Sequence, residues 1–147
     1  MNPVRSLVLV ILAAVSATAC DGGTEPRVPG PWEVTTIRVV RGAGQQGRPG
    51  ETLPDSVAIE ALTEDGLPVP EVRVDWFVHH REKPEVLGCV NGGFGERTVT
   101  DRRGRSSVVV TLGPEVGEYT LQADPITNLP VPTVFASFEA VADGVGQ

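Results

Sequence analysis

Along most of this chain apolar and polar residues alternate with a period of two, the spacing that sends successive side chains to opposite faces of a β-strand. Residues 72–78 show it most cleanly. Val72, Val74, Trp76 and Val78 fall on one side, and Arg73, Asp75 and Phe77 on the other. A tryptophan on the inward side predicts a central core strand. Residues 35–40 are β-branched and predict a first strand, and residues 56–63 predict a second with Val57, Ile59 and Ala61 on one face. Further strands are expected over residues 97–100, 104–112, 118–123 and 133–142, with Tyr119, Leu121 and Ala123 sharing a face. Glycine, proline and aspartate punctuate the gaps, as in Asp65-Gly66 and in the run from Asp101 to Gly104, which is expected to turn a hairpin. No helical period appears beyond residue 20. About seven short strands with turns between them predict an all-β, antiparallel β-sandwich, with Trp76 and Tyr119 as core anchors.

The first twenty residues follow another pattern. Arg5 precedes an uncharged, mostly apolar run over residues 6–15, and Ser16, Ala17, Thr18 and Ala19 are small. This is the layout of a secretory signal, and the run is shorter than the ~20 residues a membrane-spanning helix needs. Cys20 directly follows Ala17-Thr18-Ala19. That junction resembles the lipobox of bacterial lipoproteins. The resemblance implies cleavage between Ala19 and Cys20, a diacylglyceryl group on the Cys20 sulfur and an acyl group on its nitrogen. Asp21 resembles the sorting signal that keeps such proteins in the inner membrane of enteric bacteria. The alternative is an ordinary signal peptide followed by a chance cysteine. The expected organisation is a signal peptide (1–19), a lipidated cysteine with a flexible tether (20–31), a sandwich (32–142) and a frayed tail (143–147). Trp32 marks the end of the tether.

Composition sharpens this picture. The chain has 147 residues, 17 Gly and 13 Pro, and only 5% of its residues are aromatic. Such punctuation suits many short elements and argues against a helical bundle. The net charge is −7. Cleavage before Cys20 removes 19 residues and one arginine, leaving 128 residues at −8. An acidic chain lacks the basic footprint of a nucleic-acid binder.

Candidate chemistry is sparse. If Cys20 carries lipid, Cys89 is a free thiol, and its neighbours Val86, Leu87 and Val90 favour a buried one. Without lipid, a Cys20–Cys89 disulfide is the alternative. His79, His80 and Glu82 have zinc-compatible side chains, but adjacent strand residues face opposite ways, so the expectation is two solvated histidines at a strand end and no metal. Glu64, Asp65, Asp75 and Asp101 form no calcium-loop pattern. Ser56, Ser106 and Ser107 lie in strand patterns without a nucleophile elbow, and neither a catalytic residue nor a cofactor is expected. Arg102, Arg103 and Arg105 form a basic knot in a turn. A solvated turn is the expectation, with contact to an anionic lipid or polysaccharide as the alternative.

Four stretches carry a family resemblance. They are residues 45–56 (QQGRPGETLPDS), 63–76 (TEDGLPVPEVRVDW), 100–106 (TDRRGRS) and 111–123 (TLGPEVGEYTLQA). In this order they resemble bacterial immunoglobulin-like domains of the group 1, invasin/intimin type, over roughly residues 34–142. The resemblance implies an immunoglobulin-like fold and a binding, adhesion or spacer role in the cell envelope, with an envelope protein or a glycan as partner. A carbohydrate- or peptide-binding accessory subunit and a small hydrolase on the same scaffold are the alternatives. Residues 79–96 depart from the family pattern, being longer and charged, and are the first place to look for a ligand site.

Overall fold

A computed structural model describes residues 25–142. The strands are β1 (Thr36–Arg41), β2 (Gln46–Gly47), β3 (Val57–Leu62), β4 (Arg73–His80), β5 (Cys89–Val90), β6 (Glu96–Val99), β7 (Arg105–Val108), β8 (Val110–Thr111), β9 (Gly117–Ile126) and β10 (Val134–Ala140). One sheet has the order β1-β3-β7 and the other β2-β10-β9-β4-β6, while β5 and β8 form a separate short ribbon. Pairing is antiparallel except between β2 and β10, which run parallel. This is an immunoglobulin-like β-sandwich. Its seven longer strands fall where the period-two pattern puts them.

Alternation builds the core. In β4, Val74, Trp76 and Val78 are buried while Arg73 and Phe77 are exposed. Tyr119, Leu121 and Ala123 of β9 and Ala136, Phe138 and Ala140 of β10 face the same interior. The opposite layer supplies Val57, Ile59 and Ala61 from β3 and Val108 from β7. Each fully buried valine or leucine contributes about 1.5–3 kcal/mol relative to exposure. The indole of Trp76 is fully buried, and its Nε1–H donates to Thr98 Oγ1 of β6 at 2.7 Å. Ser106 Oγ of β7 donates to the same oxygen at 2.6 Å, so one hydroxyl joins the two sheets.

Three local features differ from the sequence expectation. The strand expected over 104–112 is two, because Val109 turns aside and exchanges bonds with Asn91: Asn91 N–H donates to the Val109 carbonyl and Val109 N–H to Asn91 Oδ1, both at 2.8 Å. The turn at Asp101–Gly104 does not close a hairpin between the strands it joins. β6 pairs with β4 and β7 with β3, so the turn carries the chain across from one sheet to the other. The domain also begins before residue 32. Pro29 is buried, Arg27 pairs with Glu33, and Gly30 N–H donates to Glu33 Oε2 at 2.9 Å. The short 3-10 turn Pro31–Glu33 then leads into buried Val34.

The crossing turn is tightly built. Asp101 Oδ1 accepts the backbone N–H groups of Arg103 at 2.8 Å and Arg105 at 3.0 Å. Gly104 has φ +70° and its carbonyl accepts Ala61 N–H at 2.7 Å. A Cβ on Gly104 would stand 2.6 Å from the Ala61 carbonyl oxygen, whereas Gly66, with φ +81°, has open space at that position. Gly66→Ala is therefore expected to cost about 1 kcal/mol, the backbone penalty alone. Gly104→Ala is expected to cost about 3 kcal/mol or more, because the clash with β3 is added. Urea denaturation of both variants checks this, and equal costs would contradict the close approach.

Candidate functional site

β4 carries His79 and His80 to the end of the sandwich farthest from its N-terminal segment. The two face opposite ways, as adjacent strand residues must. His79 lies half-buried opposite Thr120 on the outer face of the sheet. His80 points inward and is 3% exposed, which corrects the expectation of two solvated histidines. Its ring packs edge-on against Tyr119, with centroids 5.1 Å apart. Nδ1 accepts the backbone N–H groups of Glu82 and Lys83, each at 3.2 Å. An Nδ1 that accepts leaves the ring proton on Nε2, which donates to the Val116 carbonyl at 3.0 Å. Both ring nitrogens are thus committed to backbone, and Glu82 is exposed. The His79, His80 and Glu82 side chains do not converge.

Around His80 the chain is arranged to admit large rings. Gly117 has φ +126°, and a Cβ there would lie 2.5 Å from His80 Nε2. A Cβ on Gly113 would lie 2.7 Å from the Tyr119 hydroxyl. That hydroxyl donates to the Glu115 carbonyl at 3.0 Å, four residues upstream, the arrangement known as a tyrosine corner. Burial pushes the Tyr119 phenol above its ordinary range. Outside this buried pair, Lys83 meets Glu115 at 2.7 Å and Arg81 meets Glu118 at 2.5 Å. These partners hold both carboxyls below the usual glutamate range. The segment after β4 is therefore pinned to the start of β9 by one imidazole and two ion pairs.

Cys89 is a free cysteine and is half-buried rather than buried. Val90 beside it is fully buried, so alternation in β5 turns the thiol away from the core. The serines are occupied in structural bonds or lie outward. Ser56 Oγ accepts from Arg41, Ser106 Oγ donates to Thr98, and Ser107 is exposed on β7. Among the described residues no three His, Cys, Asp or Glu side chains are grouped to hold a metal. Cys20, Ala17, Thr18, Ala19 and Asp21 lie outside the described residues.

The surface that sequence reading missed is an aromatic row on the outer face of the larger sheet. Phe77 of β4 and Phe135 of β10 both pair in register with Gln122 of β9, so they flank it in one line across three strands. Phe135 is 58% exposed. The outward position of Phe77 was legible from alternation, whereas its alignment with Phe135 depends on strand register. At the open edge where the two sheets meet, a depression of about 590 Å³ lies between Arg41 and Ala58 of the smaller sheet, Arg105 and Ser107 of β7, and Val99 of β6.

No protein-family model matches the chain, and no curated protein matches it. Its fold is similar to that of the Yersinia pseudotuberculosis adhesin InvE, with a TM-score of 0.58 and 17% identity. That match covers 78% of this chain and 33% of the adhesin, so the chain spans about a third of that protein's length. A D00-D0 domain of intimin gives a TM-score of 0.49 at 13% identity, covering 74% of this chain and 47% of that one. A conjugative transposon lipoprotein from Bacteroides eggerthii gives 0.42 at 13%, covering 70% and 94%. At such identities the likeness is one of fold. The chain is an immunoglobulin-like sandwich whose fold is like that of InvE.

Two predictions follow from the ion pairs and the buried imidazole. His80→Phe leaves two backbone donors and one carbonyl without their partner and is expected to lower stability by about 2–3 kcal/mol, with His79→Ala within about 0.5 kcal/mol of wild type. Chemical denaturation measures both. Glu60 and Asp75 are held below their ordinary values of 4.5 and 3.8 by Arg38 and Arg97. A carboxylate with a lowered folded-state pKa adds stability above its unfolded value and loses it as pH falls through the folded one. Stability should therefore be flat near neutrality and decline in acid. Replacing Arg38 and Arg97 with glutamine should flatten that acid limb in a series of melts at stepped pH.

Proposed function

We propose that this chain is an exported lipoprotein, anchored in the bacterial cell envelope through lipid on Cys20, whose single immunoglobulin-like domain serves as a binding, adhesion or spacer module. The observation that carries the module reading is the fold, an immunoglobulin-like sandwich of the kind seen in the adhesin InvE. Its polar side chains favour a scaffold over an enzyme. The buried histidine, Thr98, Thr100 and Ser106 are all engaged in holding strands and loops in place. The exposed row of Phe77 and Phe135 is the surface best suited to an envelope protein or a glycan. The anchor rests on the junction of Ala17-Thr18-Ala19 with Cys20. Several acyl chains at about 0.8 kcal/mol per buried methylene hold a protein on a bilayer without a spanning helix.

Metabolic labelling with an alkyne fatty acid tests the anchor. The wild-type protein should take up label and sediment with membranes. Cys20→Ser should take up none and be recovered in the soluble exported fraction. Label retained in Cys20→Ser would place the modification elsewhere, and an unlabelled wild type would replace the anchor with an ordinary signal peptide.

A further inference from the structure

At the end of the sandwich where the chain enters, the most exposed large apolar side chains of the described residues stand together. Trp32 is 72% exposed and Val28 is 71% exposed. They border a depression of about 470 Å³ shared with Pro70 and Arg102. β9 ends on exposed Ile126 at the same pole, because Ile126 pairs with Arg73 where β4 begins, and exposed Leu129 lies in the loop that follows. The basic knot read from sequence is divided here. Arg105 turns toward Glu60, at 3.5 Å, whereas Arg102 and Arg103 make no ion pair with a described residue. Two nearby carboxylates are already engaged: Asp101 by backbone N–H groups and Glu33 by Arg27. Glu64, Asp65 and Glu71 remain exposed on this pole, so its charge is mixed and its apolar side chains carry the attraction.

The length of the connecting chain limits where this pole can be. Pro29, the first buried residue among those described, lies nine positions after Cys20. Even fully extended at about 3.3–3.6 Å per residue, that segment reaches roughly 30 Å. A lipid on Cys20 therefore holds the Trp32 pole beside the bilayer at high local concentration. Indole prefers the headgroup level, where its ring is shielded and its N–H stays wet. Arginine meets lipid phosphate in the same layer.

We infer that this pole docks on the bilayer to which Cys20 is anchored, with Trp32 and Val28 entering the headgroup boundary and Arg102 and Arg103 meeting lipid phosphates. Docking fixes the orientation of the domain, so that the end carrying His80 and Tyr119 points away from the membrane. The inference rests on the lipid-anchor reading, and its test imposes the anchor chemically. The chain beginning at Cys20, carrying Cys89→Ser, is coupled through the Cys20 thiol to a maleimide lipid. The host vesicles are phosphatidylcholine and phosphatidylglycerol, with brominated or ordinary acyl chains. The protein has two tryptophans, and Trp76 is fully buried and serves as an unquenched reference. Bromine should remove roughly half of the emission, the share of an indole seated at the interface. Trp32→Ala should show no bromine quenching, and changing Arg102 and Arg103 to glutamine should weaken the quenching. An unquenched wild type, or equal quenching in Trp32→Ala, would overturn the docking, and quenching indifferent to the two arginines would overturn the phosphate contact. Because coupling supplies the anchor, lost quenching with intact fatty-acid labelling removes the docking alone. Lost labelling with intact quenching removes the natural anchor alone.

Discussion

The fold turns on one requirement. The largest side chain in the core is an indole with a single N–H, and that donor must be satisfied in a place water does not reach. Thr98 meets it from β6, and Ser106 reaches the same oxygen from β7. β6 belongs to one sheet and β7 to the other, so satisfying Trp76 also fixes how the layers meet at their open side. The turn between the two strands must then cross the sandwich instead of closing a hairpin. This explains why Asp101 is spent on its own loop's N–H groups, and why Gly104 must approach β3 so closely that no Cβ fits. One buried donor thus constrains a strand, two sheet edges and the turn joining them.

A second arrangement closes the far end by the same logic. His80 and Tyr119 are opposite each other on β4 and β9, and both present polar atoms to the interior. Every such atom finds a backbone partner nearby, in the loop after β4 or in the turn before β9. The cost of burying those polar groups is offset by local hydrogen bonds that also tie down loops. The glycines at 113 and 117 are the sequence counterpart of this packing, since each clears the volume that a ring occupies. The ion pairs outside it are exposed and contribute little stability on their own.

Much of this was legible before any coordinates, and the limits are instructive. Period-two alternation located all seven longer strands and placed Trp76 and Tyr119 inward, because a strand with one buried face imposes that alternation directly. Alternation also separated His79 from His80. One period past Val78 it points His80 inward, against the expectation that a polar side chain at a strand end stays in solvent. Turn chemistry marked residues 101–104 as a turn but not whether the flanking strands share a sheet. That depends on which strand each pairs with, a non-local fact. For the same reason the basic knot read as one unit, although β7 carries Arg105 away toward Glu60 while Arg102 and Arg103 stay at the turn. The row formed by Phe77 and Phe135 was hidden likewise, since it exists only through register across β9. The resemblance to a lipobox rests on Ala17, Thr18, Ala19 and Cys20, which lie outside the described residues.

These features give the domain two different ends. β4 has eight residues, and at about 3.3 Å per residue it separates Arg73 from His80 by roughly 25 Å. At the Arg73 end lie the incoming chain, Trp32, and Arg102 and Arg103, which pair with no described carboxylate. At the His80 end lies the charged segment over residues 81–88, fastened by His80, Lys83 and Arg81. Under the proposed anchor the first end faces the membrane and the second faces outward, and the fastening explains how a charged segment keeps one shape there. The aromatic row on the larger sheet runs across the strands between these ends, so a partner could engage it beside the distal segment without displacing either. Among the described residues, the buried polar side chains His80, Thr100 and Ser106 are all engaged in bracing strands and loops. The informative chemistry of this domain is the asymmetry between its two ends.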